Sequence, residues 1–269
     1  MRRIVLLTVG LALLAAACGS TGQSQDPSSS TGSSGAGTTA SGTTAAEVPV
    51  PDPIRGCVPS CNTPGLARPG PLSPGPYETQ WFFGGEMVIT LDEPWSVHED
   101  STGEFALELG STPWNAVYFW EDVYPLENED VYPHENDVRV DGVPMTVDGM
   151  LDWIRKDPRL EASAPRRGKI GDVPATVVDV AIVEGTPNEG GPDCPVSVCI
   201  GWLGFPQWEG PWGIAGSQVQ RVYLSEVTYG GKTHLFVAVV YPDDPADMET
   251  FLLHAEDLLA TVQVPASPA

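Results

Sequence analysis

The sequence predicts an α+β fold, an antiparallel sheet with flanking helices, and three observations carry that expectation. Short stretches rich in β-branched and aromatic residues alternate apolar and polar positions with period two. Two other stretches repeat their apolar residues every three or four positions, the spacing of one helix face. The order along the chain is strands, a helix, strands, a helix and a closing strand, which packs naturally as a sandwich of helices on a sheet.

The elements follow in that order within a folded part expected to span residues 77–265, long enough for one core of ordinary size. MVITL (87–91), FALEL (105–109) and AVYFW (116–120) read as three strands of a meander. A helix is expected over 147–156, ending before Pro158, with Met150, Leu151 and Ile154 turned inward. ATVVDVAIV (175–183), QVQRVYLSEV (218–227) and THLFVAVVY (233–241) are further strands, the last two joined through Tyr229, Gly230, Gly231 and Lys232, a hairpin turn signal. The second helix starts at Asp244 as N-cap with Pro245 in the first helical position. Met248, Phe251, Leu252, Ala255, Leu258 and Leu259 form its buried face, and a closing strand is expected over 260–264.

Before the folded part comes an address. Arg2 and Arg3 precede an apolar run over 4–14, the layout of a signal peptide (1–17) and too short to span a membrane. Ala15, Ala16, Ala17 and Cys18 resemble the lipobox of bacterial lipoproteins, which implies a diacylated Cys18 as first mature residue, palmitate-type chains and a place on the extracytoplasmic face of the cell membrane. Residues 19–46 contain 20 Ser, Gly or Thr among 28 and read as a flexible tether with a span of roughly 30 Å. Residues 47–76 are a proline-rich strap holding Cys57 and Cys61.

With Cys18 acylated, Cys57, Cys61, Cys194 and Cys199 remain, and an extracytoplasmic compartment favours their oxidation to disulfides. Four cysteines allow three connectivities. Local pairs, Cys57 with Cys61 and Cys194 with Cys199, are favoured over links between the strap and the later segment, and the spacings are not the CxxC pairs of zinc knuckles. Without the leader, eleven basic residues face 36 acidic ones, a formal charge of about −25 that repels nucleic acid and anionic headgroups. Acyl chains rather than basic patches are therefore expected to hold the protein at the membrane.

The runs VITLDEPWSVHED, VDGMLDWIRKDPRLEAS with GKIGDVPATVVDV, and HLFVAVVYPDDPADMETFLLHAEDLLATVQV resemble uncharacterised actinobacterial lipoproteins, which are in turn similar to the PsbP-type α/β/α sandwich. The likeness covers most of 87–264 and rests on structural motifs. It implies a fold and no reaction. Residues 120–142 and 185–216 have no counterpart in the minimal fold of that family.

Two patterns lie in those extra segments. Residues 121–136, EDVYPLENEDVYPHEN, are one octapeptide written twice with Leu126 replaced by His134. Glu121, Asp122, Glu127, Glu129, Asp130, Glu135 and Asp137 would suit Ca²⁺, yet the order is not that of an EF-hand, and duplication in a surface loop explains the pattern without a ligand. Residues 193–216 hold Trp202, Phe205, Trp208 and Trp212 among glycines and prolines. These rings either form a stacking platform for a sugar, lipid or aromatic ligand, or fold inward as a small core.

Catalytic signatures are missing. The chain has no GxSxG elbow, no HExxH, no phosphate-cradling glycine motif, and four isolated histidines, His98, His134, His234 and His254. The expectation is therefore a non-enzymatic binding or accessory module of the cell envelope, without cofactor or metal. Its partners are the membrane, through its anchor, and an envelope glycan, lipid or protein, with no nucleic acid. The alternatives are an envelope hydrolase using a carboxylate pair, and a structural protein with no small ligand.

Overall fold

The structure is a computed structural model, and it describes residues 52–53, 71–79, 82–100, 102–110, 115–127, 138–189, 196–206, 208–242 and 244–265. By its contacts the chain divides into two compact units, Met1–Glu47 and Val48–Ala269, and every described residue belongs to the second. The signal peptide, Cys18, the tether, Cys57, Cys61, Cys194 and the second octapeptide copy all lie outside the described residues.

The α+β expectation holds. Fifteen strands are described: β1 (Asp52–Pro53), β2 (Gly75–Glu78), β3 (Val88–Leu91), β4 (Trp95–Asp100), β5 (Glu104–Leu109), β6 (Ala116–Glu121), β7 (Tyr124–Glu127), β8 (Val138–Arg139), β9 (Leu160–Ala162), β10 (Arg166–Ile170), β11 (Val173–Ile182), β12 (Cys199–Phe205), β13 (Trp208–Ala215), β14 (Val219–Tyr229) and β15 (Lys232–Tyr241). Helix α1 is Val147–Lys156 and α2 is Met248–Thr261.

Eight strands form the central sheet in the order β10, β11, β14, β15, β6, β5, β4, with β9 also paired to β11. Every pair in it is antiparallel. The alternation that marked the strands divides two cores. On β15, Phe236, Ala238 and Val240 point to one face, and Leu235, Val237, Val239 and Tyr241 to the other. Helix α2, β3 and the turn at Phe82–Gly85 cover the first face through Phe251, Leu258, Ile89, Phe82 and Phe83. Helix α1 covers the second with Met150, Trp153 and Ile154, together with Ile200, Trp202 and Phe205 of β12 and Ile214 of β13. Apolar area leaving water on both faces, at about 25 cal/mol per Å², is what holds the layers together.

Helix α1 has the expected limits. Thr146 caps it by accepting a hydrogen bond from the Gly149 amide at 3.1 Å, and Trp153 rather than Leu151 takes the deep position. Asp244 caps a short 3₁₀ turn at Pro245–Asp247, so α2 proper begins at Met248. At the β14–β15 turn Gly230 and Gly231 both have positive φ, the conformation that a two-residue hairpin demands.

Two expectations are corrected. β3 does not join the meander, because it pairs with β2 in a separate sheet of order β1, β2, β3; the meander is β4, β5, β6. The closing strand shrinks to a bridge between Val88 and Gln263, because α2 runs on through Thr261. The two extra segments, about whose mutual arrangement the sequence is silent, pair with each other in a third sheet of order β13, β12, β7, β8. Contacts between residues about 80 apart are invisible to local periodicity.

Candidate functional site

One recess among the described residues is built from the end of α1. Pro158 stops the helix, and Asp157 turns its carboxylate onto Arg159, accepting from its amide at 2.9 Å, from Nε at 3.0 Å and from Nη2 at 2.7 Å. Nη1 of the same guanidinium reaches Glu189 at 3.0 Å, and Nη2 also donates to the Leu126 carbonyl at 2.8 Å. One side chain therefore ties the helix end to β7 and to the segment ahead of β12. Burial opposes the Arg159 charge, but Asp157 and Glu189 more than offset it and hold the guanidinium above its usual range. Burial pushes the Glu189 carboxyl up more than Arg159 pulls it down.

Beside this hub lies a cleft of about 420 Å³. Trp153, Val140 and Pro158 give it apolar walls; Glu127, Lys156, Asp157 and Arg159 give it charge of both signs. Its volume falls within the range of small-ligand sites, with four of its seven lining residues charged; two other recesses, of about 620 and 570 Å³, are larger. The Trp153 ring lies parallel to Trp202, with centroids 6.4 Å apart, and only 9% of Trp153 is exposed.

The aromatic segment reads differently in three dimensions than as a platform. Trp202 and Phe205 are fully buried in the second core, and Trp212 is half-buried, its Nε1 donating to Gln220 Oε1 at 3.0 Å. The Trp212 ring lies 4.4 Å from Tyr118 and 4.9 Å from Trp120. These three rings face inward because β12 sits between β7 and β13 in a sheet packed on the central one. The side chain of Trp208 lies outside the described residues. Cys199, at the start of β12, is disulfide-bonded, and the other four cysteines lie outside the described residues.

Two polar constellations escaped the sequence reading. On β4 and β5, Glu99 and Glu108 are buried, His98 Nδ1 lies 3.2 Å from Glu108 Oε1, and burial followed by the charge of Glu99 pushes the Glu104 carboxyl up to about 7. At the end of β6, Glu121 accepts from Tyr229 Oη at 2.5 Å and from the Phe83 amide at 3.1 Å, while Asp122 meets His234 Nδ1 at 2.9 Å and accepts from the Leu235 amide at 3.1 Å. Phe83 and Asp122 are the two non-glycine residues with positive φ among those described, at 50° and 54°. The doubled octapeptide had flagged Glu121 and Asp122 as acids. Nothing local in the sequence pointed to Tyr229 and His234, more than a hundred residues on.

The first octapeptide copy is thus part of the fold. Glu121 and Asp122 are committed to backbone and to Tyr229 and His234, Leu126 is buried, and Tyr124 donates to the Phe205 carbonyl. Tyr124 lies so close over Gly204 that a Cβ there would overlap its ring. Glu129, Asp130, His134, Glu135 and Asp137 lie outside the described residues. His254 Nδ1 meets Glu93 Oε1 at 2.8 Å on the flank of α2.

Among the described residues no group of three His, Cys, Asp or Glu side chains could hold a metal ion, and no helix is long and apolar enough to cross a membrane. Compared with protein-family models the chain matches none, and no curated protein matches it.

Proposed function

We propose that this chain is a lipid-anchored, extracytoplasmic module of the cell envelope that binds a ligand in the cleft at the end of α1 and performs no chemistry of its own. Cys18 carries the acyl anchor, and oxidation of the remaining cysteines clips the segment around β12. The fold reading is a PsbP-like α/β/α sandwich, supported by an antiparallel sheet with one helix on each face and by the motifs over 87–264. The observation that carries binding rather than turnover is the Arg159 hub. Asp157 and Arg159, both lining the cleft, are held by each other, by Glu189 and by the Leu126 carbonyl, which makes a preorganised surface and leaves Asp157 and Arg159 poorly placed to shuttle protons.

Native mass spectrometry of the full chain purified from membranes tests this. A diacyl or triacyl mass on Cys18, two disulfides and a co-purifying molecule lost in Trp153→Ala and Lys156→Ala are expected. A chain with uncut leader and reduced thiols, or a ligand unaffected by both substitutions, overturns it.

A second reading is favoured by Glu104, whose raised carboxyl beside Glu99 is the asymmetry a carboxylate-pair hydrolase needs. Glu104→Gln and Glu99→Gln would then abolish release of reducing ends from envelope polysaccharide. No such release by the unaltered chain excludes that reading.

A further inference from the structure

Six of the thirteen lysines and arginines fall among the fifteen residues from Arg155 to Lys169, with Asp157 and Glu161 as the acids there. That stretch carries a formal +4 in a chain of −23. The fold gathers it onto one edge. β9 and β10 both pair with β11, β10 is the terminal strand of the central sheet, and α1, ending in Arg155 and Lys156, packs against β9. Arg155, Lys156, Arg166, Arg167 and Lys169 are exposed.

The neighbouring acids are mostly spent. Asp157 and Glu189 hold Arg159, Asp179 holds Arg166 and Arg221, and Asp152 meets Lys156. Glu161 and Asp172 stay exposed on this edge. Arg155, Arg167 and Lys169 have no acidic partner among the described residues. Basic side chains on an edge strand also deter pairing with other chains, but that purpose does not call for Arg155 and Lys156 on the adjoining helix.

We propose that this edge is the face the domain turns toward anionic lipid headgroups, those of the leaflet that holds its own anchor. The inference rests on the anchored reading above, which places the domain within the tether's reach, roughly 30 Å, of a bilayer. Charges farther than about 8 Å are screened at physiological ionic strength, so the acidic remainder does not cancel attraction at this edge, while it repels any other approach. The anchor supplies residence, and the edge supplies orientation. The cleft shares Lys156, Asp157 and Arg159 with this edge, so it opens beside the headgroups.

The chain contains three lysines, Lys156, Lys169 and Lys232. Lys232 starts β15, three strands in from β10 and thus about 14 Å from the edge, which makes it an internal reference. The full acylated chain, its anchor verified by intact mass, is placed in vesicles of phosphatidylcholine, with or without a third of phosphatidylglycerol, and pulsed with an amine-acetylating reagent. On the anionic vesicles Lys156 and Lys169 are expected to react at least threefold more slowly and Lys232 unchanged, with the difference lost at high salt and in Arg155→Gln/Arg167→Gln. Equal rates on both vesicles, or equal slowing of all three lysines, overturn the proposal. Protection by soluble polyphosphate on neutral vesicles, without protection by phosphatidylglycerol, reassigns the edge to a polyanion and likewise overturns it. A missing acyl mass counts against the anchor, whereas equal rates on an acylated chain count against the docking edge alone.

Discussion

Tyr229 donates its phenol hydrogen to Glu121 Oε2 at 2.5 Å, joining the β14–β15 hairpin to the end of β6 across 108 residues of sequence. The other oxygen of that carboxylate accepts from the amide of Phe83, whose backbone is held at φ 50°. A strained conformation persists only where its surroundings over-determine it, and here a buried acid with two donors does so. The phenol is in turn pushed above its usual range by burial and by Glu121.

Tyr229→Phe should therefore destabilise the protein by about 1–3 kcal/mol, because it strips a donor from a buried carboxylate. Glu121→Gln should cost less. Burial already favours the uncharged form of Glu121, and an amide oxygen can still accept from Phe83. Urea denaturation of both variants checks the order, and a neutral Tyr229→Phe would refute the account.

Stability should fall as pH rises through the range where Glu104 titrates. Its carboxyl sits at about 7 in the fold against an ordinary value of 4.5, so the folded state holds the extra proton more tightly. Its contribution is complete below pH 4.5 and disappears by about pH 7. The shift sets an upper bound of about 3 kcal/mol, to be reduced for solvent screening because part of Glu104 is exposed. Glu104→Gln should raise the melting temperature at pH 8 and leave it nearly unchanged at pH 4.5. Equal effects at both values would mean that the carboxyl titrates normally.

Removing one octapeptide copy gives a controlled comparison. Glu127 pairs with Val138, so deletion of residues 129–136 leaves only Asn128 and Asp137 between them, a two-residue turn of types that accept positive φ. Deletion of 121–128 yields the same chain except that His134 stands where Leu126 was. The first deletion should leave the melting temperature almost unchanged. The second should cost about 2–5 kcal/mol, because it puts an imidazole at a site that is 1% exposed. Identical melting curves would show that the buried leucine is dispensable, and a ten-degree loss in the first would show that the second copy has a structural task.

Arg159→Lys should lose most of what Arg159→Ala loses, about 3–5 kcal/mol, since an ammonium cannot bind Asp157, Glu189 and the Leu126 carbonyl together. Added salt should change little, because the guanidinium is only 14% exposed. Thermal melts at low and high salt decide it. A lysine variant as stable as the parent would reduce the hub to one dispensable ion pair.

How much was legible depended on the range over which each signal acts. Alternation in ATVVDVAIV and THLFVAVVY located β11 and β15 to within two residues, because half-buried strands must present opposite faces to two cores. Pro158 marks the end of α1 by a rule that needs only adjacent residues, while the cap at Thr146 emerged from the structure. β12 and β13 escaped because residues 199–215 are apolar on both sides and hold four glycines, a pattern with no period. β4 was obscured by the irregular register between Val97 and Glu99, which brings His98 toward Glu108.

By itself the sequence determined the two helices, the strands with clean alternation such as β11 and β15, and a strongly acidic composition, since these depend on composition and near neighbours alone. Only the tertiary structure decided that β7 joins β12, that Trp202 and Phe205 turn inward, that Arg159 gathers two carboxylates, and that Glu121 meets Tyr229. Those outcomes depend on which distant surfaces exclude water together, and no local pattern encodes the distance between residues that touch only after the chain has closed on itself.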